Sequence, residues 1–214
     1  MIAYKLTDQG NRTRNNTLWG ENVTNEILAD LCDATKPLCT QHWFHYYEHP
    51  LIAILMNQSD ANIENPRIWL AEATGLIKQN EFKSGCTKLT TIKNQPIKNH
   101  ILTNIVAFSI LCTLEVYKEP HFLQWAENWL SGKDRTRKAA DSAYVANAAT
   151  AYNAANAYNA YKAANAATAY AANAYNAANA YATYNAANAA YSAAANTVQK
   201  INFIKLAEKA MEIV

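Results

Sequence analysis

The side chains best suited to chemistry are concentrated in one short stretch of the sequence. Two cysteines and three histidines fall within it: Cys32, Cys39, His42, His45 and His49. A structural zinc site needs closely spaced pairs of ligands, such as two cysteines two residues apart with a matching second pair. Here six, two, two and three residues separate successive side chains. The two cysteines are therefore not a closely spaced pair, and no matching second pair follows. We therefore expect neither a metal nor a cofactor.

The aromatic run within that stretch is the best candidate for ligand binding. The letters WFHYY, residues 43–47, suit a strand in which alternate rings are buried. The candidate binding residues are Trp43, His45, Tyr46 and Tyr47, together with Glu72 from a later predicted strand. The sequence contains no P-loop and no GxGxxG, GxSxG or HExxH motif. We therefore assign no catalytic residue and expect a protein that is not an enzyme.

Residues 1–97 predict a small α+β domain with about five strands. Short runs rich in β-branched and aromatic residues occur at 2–6, 17–27, 39–47, 67–77 and 86–92, separated by Gly, Asn, Asp or Pro. Such runs favour strands. The segment from Pro50 to Asn57 predicts instead a short helix with proline in its first turn.

The short strands that carry Tyr4, His45, Tyr46 and Glu72 follow an order that resembles small ADP-ribosyltransferase-like domains. This is an analogy at the level of the fold, and a fold hosts many functions. It makes an enzyme or a nucleotide-binding module in residues 1–97 the alternative to a non-enzymatic domain.

Residues 98–132 predict a pair of helices. Apolar side chains recur at spacings of three or four and form one helical face: Ile101, Ile105, Phe108, Cys112 and Val116. Pro120 begins the second helix, and Gly132 is suited to end it. The charged segment 133–138, KDRTRK, is expected to be a solvated hinge, with contact to phosphate as the alternative.

A low-complexity, alanine-rich tract occupies residues 139–197. It contains thirty Ala, eleven Asn and nine Tyr, mostly in triplets such as NAA and NAY. Ala has the highest helix propensity and neither Pro nor Gly follows Gly132, so we predict α-helix. Three residues turn an α-helix by about 300°, which places each Asn about 60° behind the previous one. We therefore expect no apolar face that persists along the tract.

The tract is expected to be buried against another surface, because Ala permits close approach and Tyr brings large contact area. Seven tyrosines are assigned to this packing interface: Tyr152, Tyr158, Tyr161, Tyr170, Tyr175, Tyr181 and Tyr184. One long rod that associates with a partner and a helical hairpin that folds back on itself are the two arrangements considered. Residues 198–214 predict an amphipathic helix that caps the tract or docks on the rest of the chain.

The overall charge and hydropathy disfavour several classes of function. The formal net charge is +2, with no run of five like charges, so strong nucleic-acid binding is not expected. The longest apolar region, around residues 101–116, is too short and too interrupted to cross a bilayer. No stretch resembling a signal peptide begins the sequence, and four cysteines in this length fit a reducing compartment. We expect a cytoplasmic protein without a membrane partner.

Several segments together resemble an uncharacterised protein family encoded by phages and prophages. The most specific are LCTQHWFHYYEHP at 38–50 and WLSGKDR at 129–135, followed by the alanine-rich tract. The resemblance implies a small N-terminal domain joined to an Ala/Tyr tract, in a protein of the host-cell cytoplasm or of the virion. The tract is also similar in composition to Ala-rich proteins proposed to act in bacterial immunity.

The expected function is that of a non-enzymatic interaction or structural protein. Its Ala/Tyr tract would mediate helix packing or self-assembly, and its partner would be another protein or a second copy of the chain. An immunity or anti-defence protein is one alternative. The ADP-ribosyltransferase-like or nucleotide-binding module in residues 1–97 is the other.

Overall fold

The computed structural model describes residues 1–80, 82–97, 102–151, 164, 166–169, 171, 186, 189–190 and 201–213, with the main chain alone at 58–59 and 147–151. The chain divides into two compact units, Met1–Asn99 and His100–Val214. The described strands all belong to the first unit, and the described part of the second unit is helical. Because the strands and most of the helices occupy separate parts of the chain, the protein belongs to the α+β class, as the sequence predicts.

Five strands form the sheet of the first unit. They are β1 (Ile2–Thr7), β2 (Val23–Glu26), β3 (Phe44–Tyr46), β4 (Arg67–Lys78) and β5 (Ser84–Gln95). All pairings are antiparallel: β1 pairs with β4, β4 with β5, and β5 also with both β2 and β3. Two short 3-10 helices, Arg14–Asn16 and Ala29–Leu31, lie in the connections. Each run predicted as a strand therefore overlaps one of the five.

The sheet closes on itself through one residue pair. Tyr47, immediately after β3, exchanges two main-chain hydrogen bonds with Tyr4 of β1, at 2.8 and 2.9 Å. Since β1 also pairs with β4, and β4 reaches β3 through β5, these four strands form a ring. Strand β2 lies beyond β3 along the same edge of β5. A closed sheet encloses one face of each strand, and that face becomes the core.

A bulge in β4 allows the two longest strands to bend within this ring. Between Thr74 and Ile77 the register with β5 shifts, so that β4 has one residue more than its partner. Gly75 lies in the bulge with a φ of 76°, and a Cβ there would be 2.3 Å from Thr87 Oγ1. Both conditions require glycine. The Thr87 hydroxyl accepts a hydrogen bond from Leu76 N at 3.0 Å, which fixes the bulge.

The interior of the closed sheet is filled by side chains. The buried cluster consists of Ala3, Trp19, Tyr46, Ala71, Ala73, Cys86 and Leu89, and Phe44 packs against it. The rings of Trp19 and Phe44 meet edge to face with centroids 5.4 Å apart. Small alanines on β1 and β4 leave the room that the two large rings of Trp19 and Tyr46 occupy.

Helix α1 (Pro50–Asp60) packs on β1. Pro50 begins it, and the ring of His49 caps it by accepting a hydrogen bond from Leu51 N at 3.3 Å, which confirms the predicted helix. Residues 52–56 are all buried. Near its end, the Asn57 side chain bonds both main-chain groups of Ile63, at 2.9 and 3.2 Å, and so fixes the following loop.

The second unit is organised around helix α2 (Leu102–Val116). Every residue from 104 to 113 is buried, so this helix is enclosed on all sides. The predicted single apolar face, which included Ile105 and Phe108, was therefore too narrow. Val106 and Ile110 make another side of the helix equally apolar, and a helix that is apolar all round belongs inside a core.

Helix α3 (Pro120–Leu130) begins and ends as predicted, with Pro120 first and Gly132 after it at a φ of 77°. The segment 133–138, expected to be a solvated hinge, is exposed at 133 and 136–138, and Arg135 bonds it to α3. Arg135 Nε donates to Trp129 O at 2.9 Å, and its guanidinium lies 4.9 Å from the centroid of the Trp129 ring. Helix α4 (Arg137–Ala151) begins within the same segment. These contacts make it a fixed turn.

The last helix, α5 (Phe203–Ala210), docks on α2 through a buried amide. The Asn104 side chain donates to Ala210 O and to Ile213 O, both at 2.9 Å, at the carboxyl end of α5. At the other end, the Asn202 side chain accepts a hydrogen bond from Lys205 N at 3.0 Å and caps the helix. None of the helices in the described ranges is long and apolar enough to cross a membrane.

The described residues of the alanine-rich tract beyond α4 are helical. Their buried positions are Ala164, Ala167, Thr168 and Ala171 in one group and Ala186, Ala189 and Ala190 in another. The seven tyrosines assigned to the packing interface lie outside the described residues, as does the choice between one rod and a hairpin. Tyr144 is the one tract tyrosine that is described, and 43% of it is exposed.

Candidate functional site

Strand β3 and the residue after it carry three of the five predicted binding residues, on opposite sides of the sheet. Tyr46 lies inside, with none of its surface exposed, and its hydroxyl donates to Met1 Sδ at 3.4 Å. Burial raises the pKa of Tyr46 to about 12, so the phenol keeps its proton at neutral pH. In this position Tyr46 fills the core and is closed to a ligand.

His45 precedes Tyr46 and therefore faces the outer side of the sheet. Its Nε2 hydrogen-bonds to the main-chain oxygen of Leu38. Burial lowers the pKa of His45 to about 4, although the Leu38 carbonyl acts in the opposite direction. The ring is neutral at neutral pH, and it must carry its proton on Nε2 because a carbonyl oxygen only accepts. His45 thereby holds the segment before β3 against the strand.

Tyr47 begins a chain of polar contacts on the same outer side. Its hydroxyl donates to Asp60 Oδ2 at 3.2 Å, and Lys83 Nζ lies 3.2 Å from Asp60 Oδ1. Burial and the charge of Asp60 together raise the pKa of Tyr47 well above its usual value. Burial disfavours the Lys83 ammonium, but the charge of Asp60 and the hydrogen bonds with Asp60 and Cys39 outweigh it and raise the pKa of Lys83. The contacts tie α1 to β5.

This chain ends at an exposed thiol. Lys83 Nζ also lies 3.6 Å from Cys39 Sγ, and Cys39 is open to solvent. Chemically, the arrangement offers one accessible sulfur beside a fixed ammonium, whereas the neighbouring phenol and carboxylate are already bonded to each other. Asp60 and Lys83 were missed in the sequence because they lie 23 residues apart and meet through the fold alone.

Trp43 and Glu72 do not join this group. The Trp43 indole is buried and donates to Lys36 O at 3.2 Å, and Gly85 leaves the space for it, since a Cβ there would be 3.0 Å from Trp43 Cβ. Glu72 lies between two core residues of β4, so its side chain points outward, where it is exposed. Strands β1 and β5 separate it from β3, so the carboxylate, His45 and Tyr46 do not form one site.

Lys5 is a buried cation that the sequence reasoning overlooked. Only 7% of it is exposed, its Nζ donates to His45 O at 2.6 Å, and it lies 5.0 Å from the centroid of the Trp19 ring. Burial lowers the pKa of Lys5 to about 8. The available signal was its position in β1. Lys5 is two residues from Ala3 and from Thr7, which are both buried, and alternate residues of a strand lie on the same face.

An open cleft lies elsewhere in the first unit, between the segments 8–14 and 61–65. It encloses about 790 Å³. The first wall is the turn and hairpin after β1, and the second is the loop that Asn57 holds after α1. Arg12 and Arg14 lie on the first wall and Asn62 and Glu64 on the second. No sequence motif marks these residues, since arginines in a turn usually signify a solvated loop.

Within the described ranges, no group of three or more His, Cys, Asp or Glu side chains is placed to hold a metal ion. Compared with protein-family models, with curated proteins and with solved structures, the chain has no match. The resemblance to a phage-encoded family therefore stays a prediction.

Proposed function

We propose that this chain is a non-enzymatic, phage- or prophage-associated interaction protein of the host cytoplasm, in which the alanine-rich region packs helices together within the chain. One observation carries the proposal. The buried tract residues Ala164, Ala167, Thr168 and Ala171 follow the spacing i, i+3, i+4, i+7, which places them on one helical face. Ala186, Ala189 and Ala190 repeat the first part of that spacing.

Small residues at these positions suit close approach between helices. Thr168 fits the same face because its hydroxyl is bonded within its own helix, to Ala164 O at 2.9 Å. The residues are buried within a single copy of the chain, which supports packing inside the molecule over assembly between copies. A protein partner would then be bound by another surface.

The polar groups around β3 support a non-enzymatic first unit. The imidazole of His45, the phenol of Tyr47 and the ammonium of Lys83 each bond to a protein group. A general acid or base must be able to exchange a proton with a substrate, and these groups are occupied by contacts that hold the fold.

Ala167→Leu tests the proposal, with Ser142→Leu as the matched control on an exposed helical position. Extra methylene groups in a packed interface typically cost about 1–3 kcal/mol. We expect Ala167→Leu to lower the free energy of unfolding by that amount and Ser142→Leu to leave it nearly unchanged, as measured by urea unfolding followed by circular dichroism.

Light scattering on the same proteins distinguishes packing within the chain from packing between chains. Intramolecular packing predicts one particle mass for the parent and for both variants. If Ala167→Leu instead reduces the particle mass, or leaves the unfolding free energy unchanged, the alanine face does not pack inside the molecule.

A further inference from the structure

We propose that the cleft between segments 8–14 and 61–65 binds a small molecule through a phosphate group. The cleft is lined by Arg12 and Arg14 on one wall and by Asn62 on the other, and Arg12 Nη1 already donates to Asn16 O at 2.9 Å. Its volume of about 790 Å³ falls within the range of small-molecule sites, about 300–1,000 Å³. This inference is independent of the role proposed for the alanine-rich region.

Both walls are held in place before any ligand arrives. On the first wall, Asp8 N donates to Arg12 O at 2.9 Å and Trp19 N donates to Asn11 O at 2.8 Å. On the second, Asn57 bonds both main-chain groups of Ile63. Gln9 Nε2 joins the walls by donating to Asn65 O at 2.5 Å. A site with fixed walls loses little conformational entropy when it binds.

The backbone around the cleft adopts a conformation that is rare for residues with a side chain. Six described residues other than glycine have positive φ, all of them asparagine: Asn11, Asn15, Asn16, Asn22, Asn62 and Asn65. All but Asn22 lie in or beside the two walls. Asparagine tolerates the left-handed region best among such residues, and clusters of this conformation are typical of ligand-binding loops.

Three hydrogen-bond donors in the cleft remain available for a ligand. Among the described residues, none bonds to the guanidinium of Arg14 or to the side-chain amide of Asn62. Thr13 Oγ1 accepts a hydrogen bond from Trp19 Nε1 at 3.0 Å, so its own proton is free to be donated. A guanidinium fork with hydroxyl and amide donors matches the several oxygens of a phosphate.

The two acidic residues of the cleft, Asp8 and Glu64, differ in their effect on phosphate binding. Asp8 Oδ1 accepts from Arg12 N at 2.7 Å, so this carboxylate is used within its own turn. Glu64 bonds to no described residue and opposes a bound anion. Removing the charge of Glu64 should therefore strengthen phosphate binding, whereas removing that of Arg14 should weaken it.

The test is a titration of the full-length protein with inorganic phosphate at constant ionic strength, followed by ¹H–¹⁵N NMR. We expect saturable shifts of the amides of Gly10, Thr13 and Asn62. One lost charge-assisted hydrogen bond corresponds to a factor of about ten, so Arg14→Met should raise the Kd about tenfold. Glu64→Gln should lower the Kd about threefold, since an exposed charge contributes less. Arg137→Met, an exposed arginine of α4, is the matched control and should leave the Kd unchanged.

Parallel titrations identify the source of the phosphate. Glycerol 3-phosphate, a small phosphate monoester, should bind at least as tightly as inorganic phosphate, and acetate should bind more weakly. The proposal is overturned if no amide of the cleft saturates, if Arg14→Met binds like the parent protein, or if a single-stranded oligonucleotide binds at the cleft while glycerol 3-phosphate does not.

Discussion

Lys5 Nζ donates a 2.6 Å hydrogen bond to the main-chain oxygen of His45 inside the closed sheet. The bond joins β1 to β3 near the Tyr4–Tyr47 pair that closes the ring of strands. A buried ammonium with one hydrogen bond and one aromatic face loses much of its hydration, which is why burial lowers the pKa of Lys5 to about 8. The contact fixes the strands and also makes the stability of the unit depend on pH.

The first prediction concerns Lys5→Met, which keeps the apolar stem and removes the charge. The pKa of Lys5 falls from 10.5 to about 8 on folding. Between these values the unfolded chain still holds a proton that the folded chain has released, so the stability of the parent protein rises with pH. Relative to the variant, the parent protein should therefore gain up to about 3 kcal/mol of stability as the pH rises from 8 to 10.5.

Urea unfolding of parent and variant between pH 7 and pH 11 measures this difference. Tyr46, with a pKa raised by burial to about 12, acts in the opposite direction but is common to both proteins. Lys88→Met, at an exposed ion pair with Glu26, is the matched control. A constant gap between parent and Lys5→Met across that range would contradict the prediction.

The second prediction concerns His45 in acid. Its pKa falls from 6.5 to about 4 on folding, so the unfolded chain takes up the proton first as the pH decreases. Stability that is present at neutral pH is therefore lost between pH 6.5 and pH 4, by up to about 3 kcal/mol. His45→Gln retains a donor for Leu38 O and should abolish this component.

The measurement is urea unfolding at pH 7, 5.5 and 4. His121→Gln, in α3 of the second unit, serves as the control and should follow the parent protein. Equal acid sensitivity of the parent protein and His45→Gln would show that another group is responsible.

The third prediction concerns the buried amide of α2. Asn104→Leu removes both donors from the carboxyl end of α5 and leaves Ala210 O and Ile213 O without them. Two hydrogen bonds are lost while Ala210 O keeps the bond from Ile213 N at 3.3 Å, so the cost should be about 1–3 kcal/mol. Amide hydrogen exchange should accelerate in α5 more than in α3. Ser109→Ala is the control, because the Ser109 hydroxyl bonds within its own helix, to Ile105 O; equal effects of the two variants would argue against a docking role.

The fourth prediction concerns the bulge in β4. Gly75→Ala would place a Cβ 2.3 Å from Thr87 Oγ1 at a φ of 76°. Displacing the hydroxyl breaks its bond to Leu76 N, so we expect a loss of about 1–3 kcal/mol and a lower Tm by calorimetry. Gly10→Ala, where the nearest atom, Asp8 Oδ1, would be 3.3 Å from the new Cβ, should change the Tm little. An unchanged Tm for Gly75→Ala would mean that the bulge can shift without cost.

Local signals predicted the elements of this protein well. Proline at the first position marked the starts of α1 and α3, Gly132 marked the end of α3, and β-branched runs marked the five strands. These signals succeed because they act within a few residues of the chain. The single face assigned to α2 failed because the number of neighbours around a helix is not a local property.

The candidate sites were harder to predict for the same reason. Tyr46 and His45 are adjacent in sequence, yet strand alternation places one in the core and the other under the preceding segment. The pairing of Asp60 with Lys83, and of the two walls of the cleft, arises from residues far apart in the chain. Contacts between residues so far apart in the chain depend on strand register and on closure of the sheet.

By itself, the sequence determined which segments are strands, which are helices and where α1 and α3 begin, because propensity and capping depend on neighbouring residues. It also determined that the alanine-rich tract favours helix. The tertiary structure decided that the sheet closes, that a lysine is enclosed in it, and that α2 is surrounded on all sides. It also selected which of the described alanines of the tract are buried, because thirty of the 59 residues at 139–197 are Ala and small residues can therefore face a neighbour in almost any orientation.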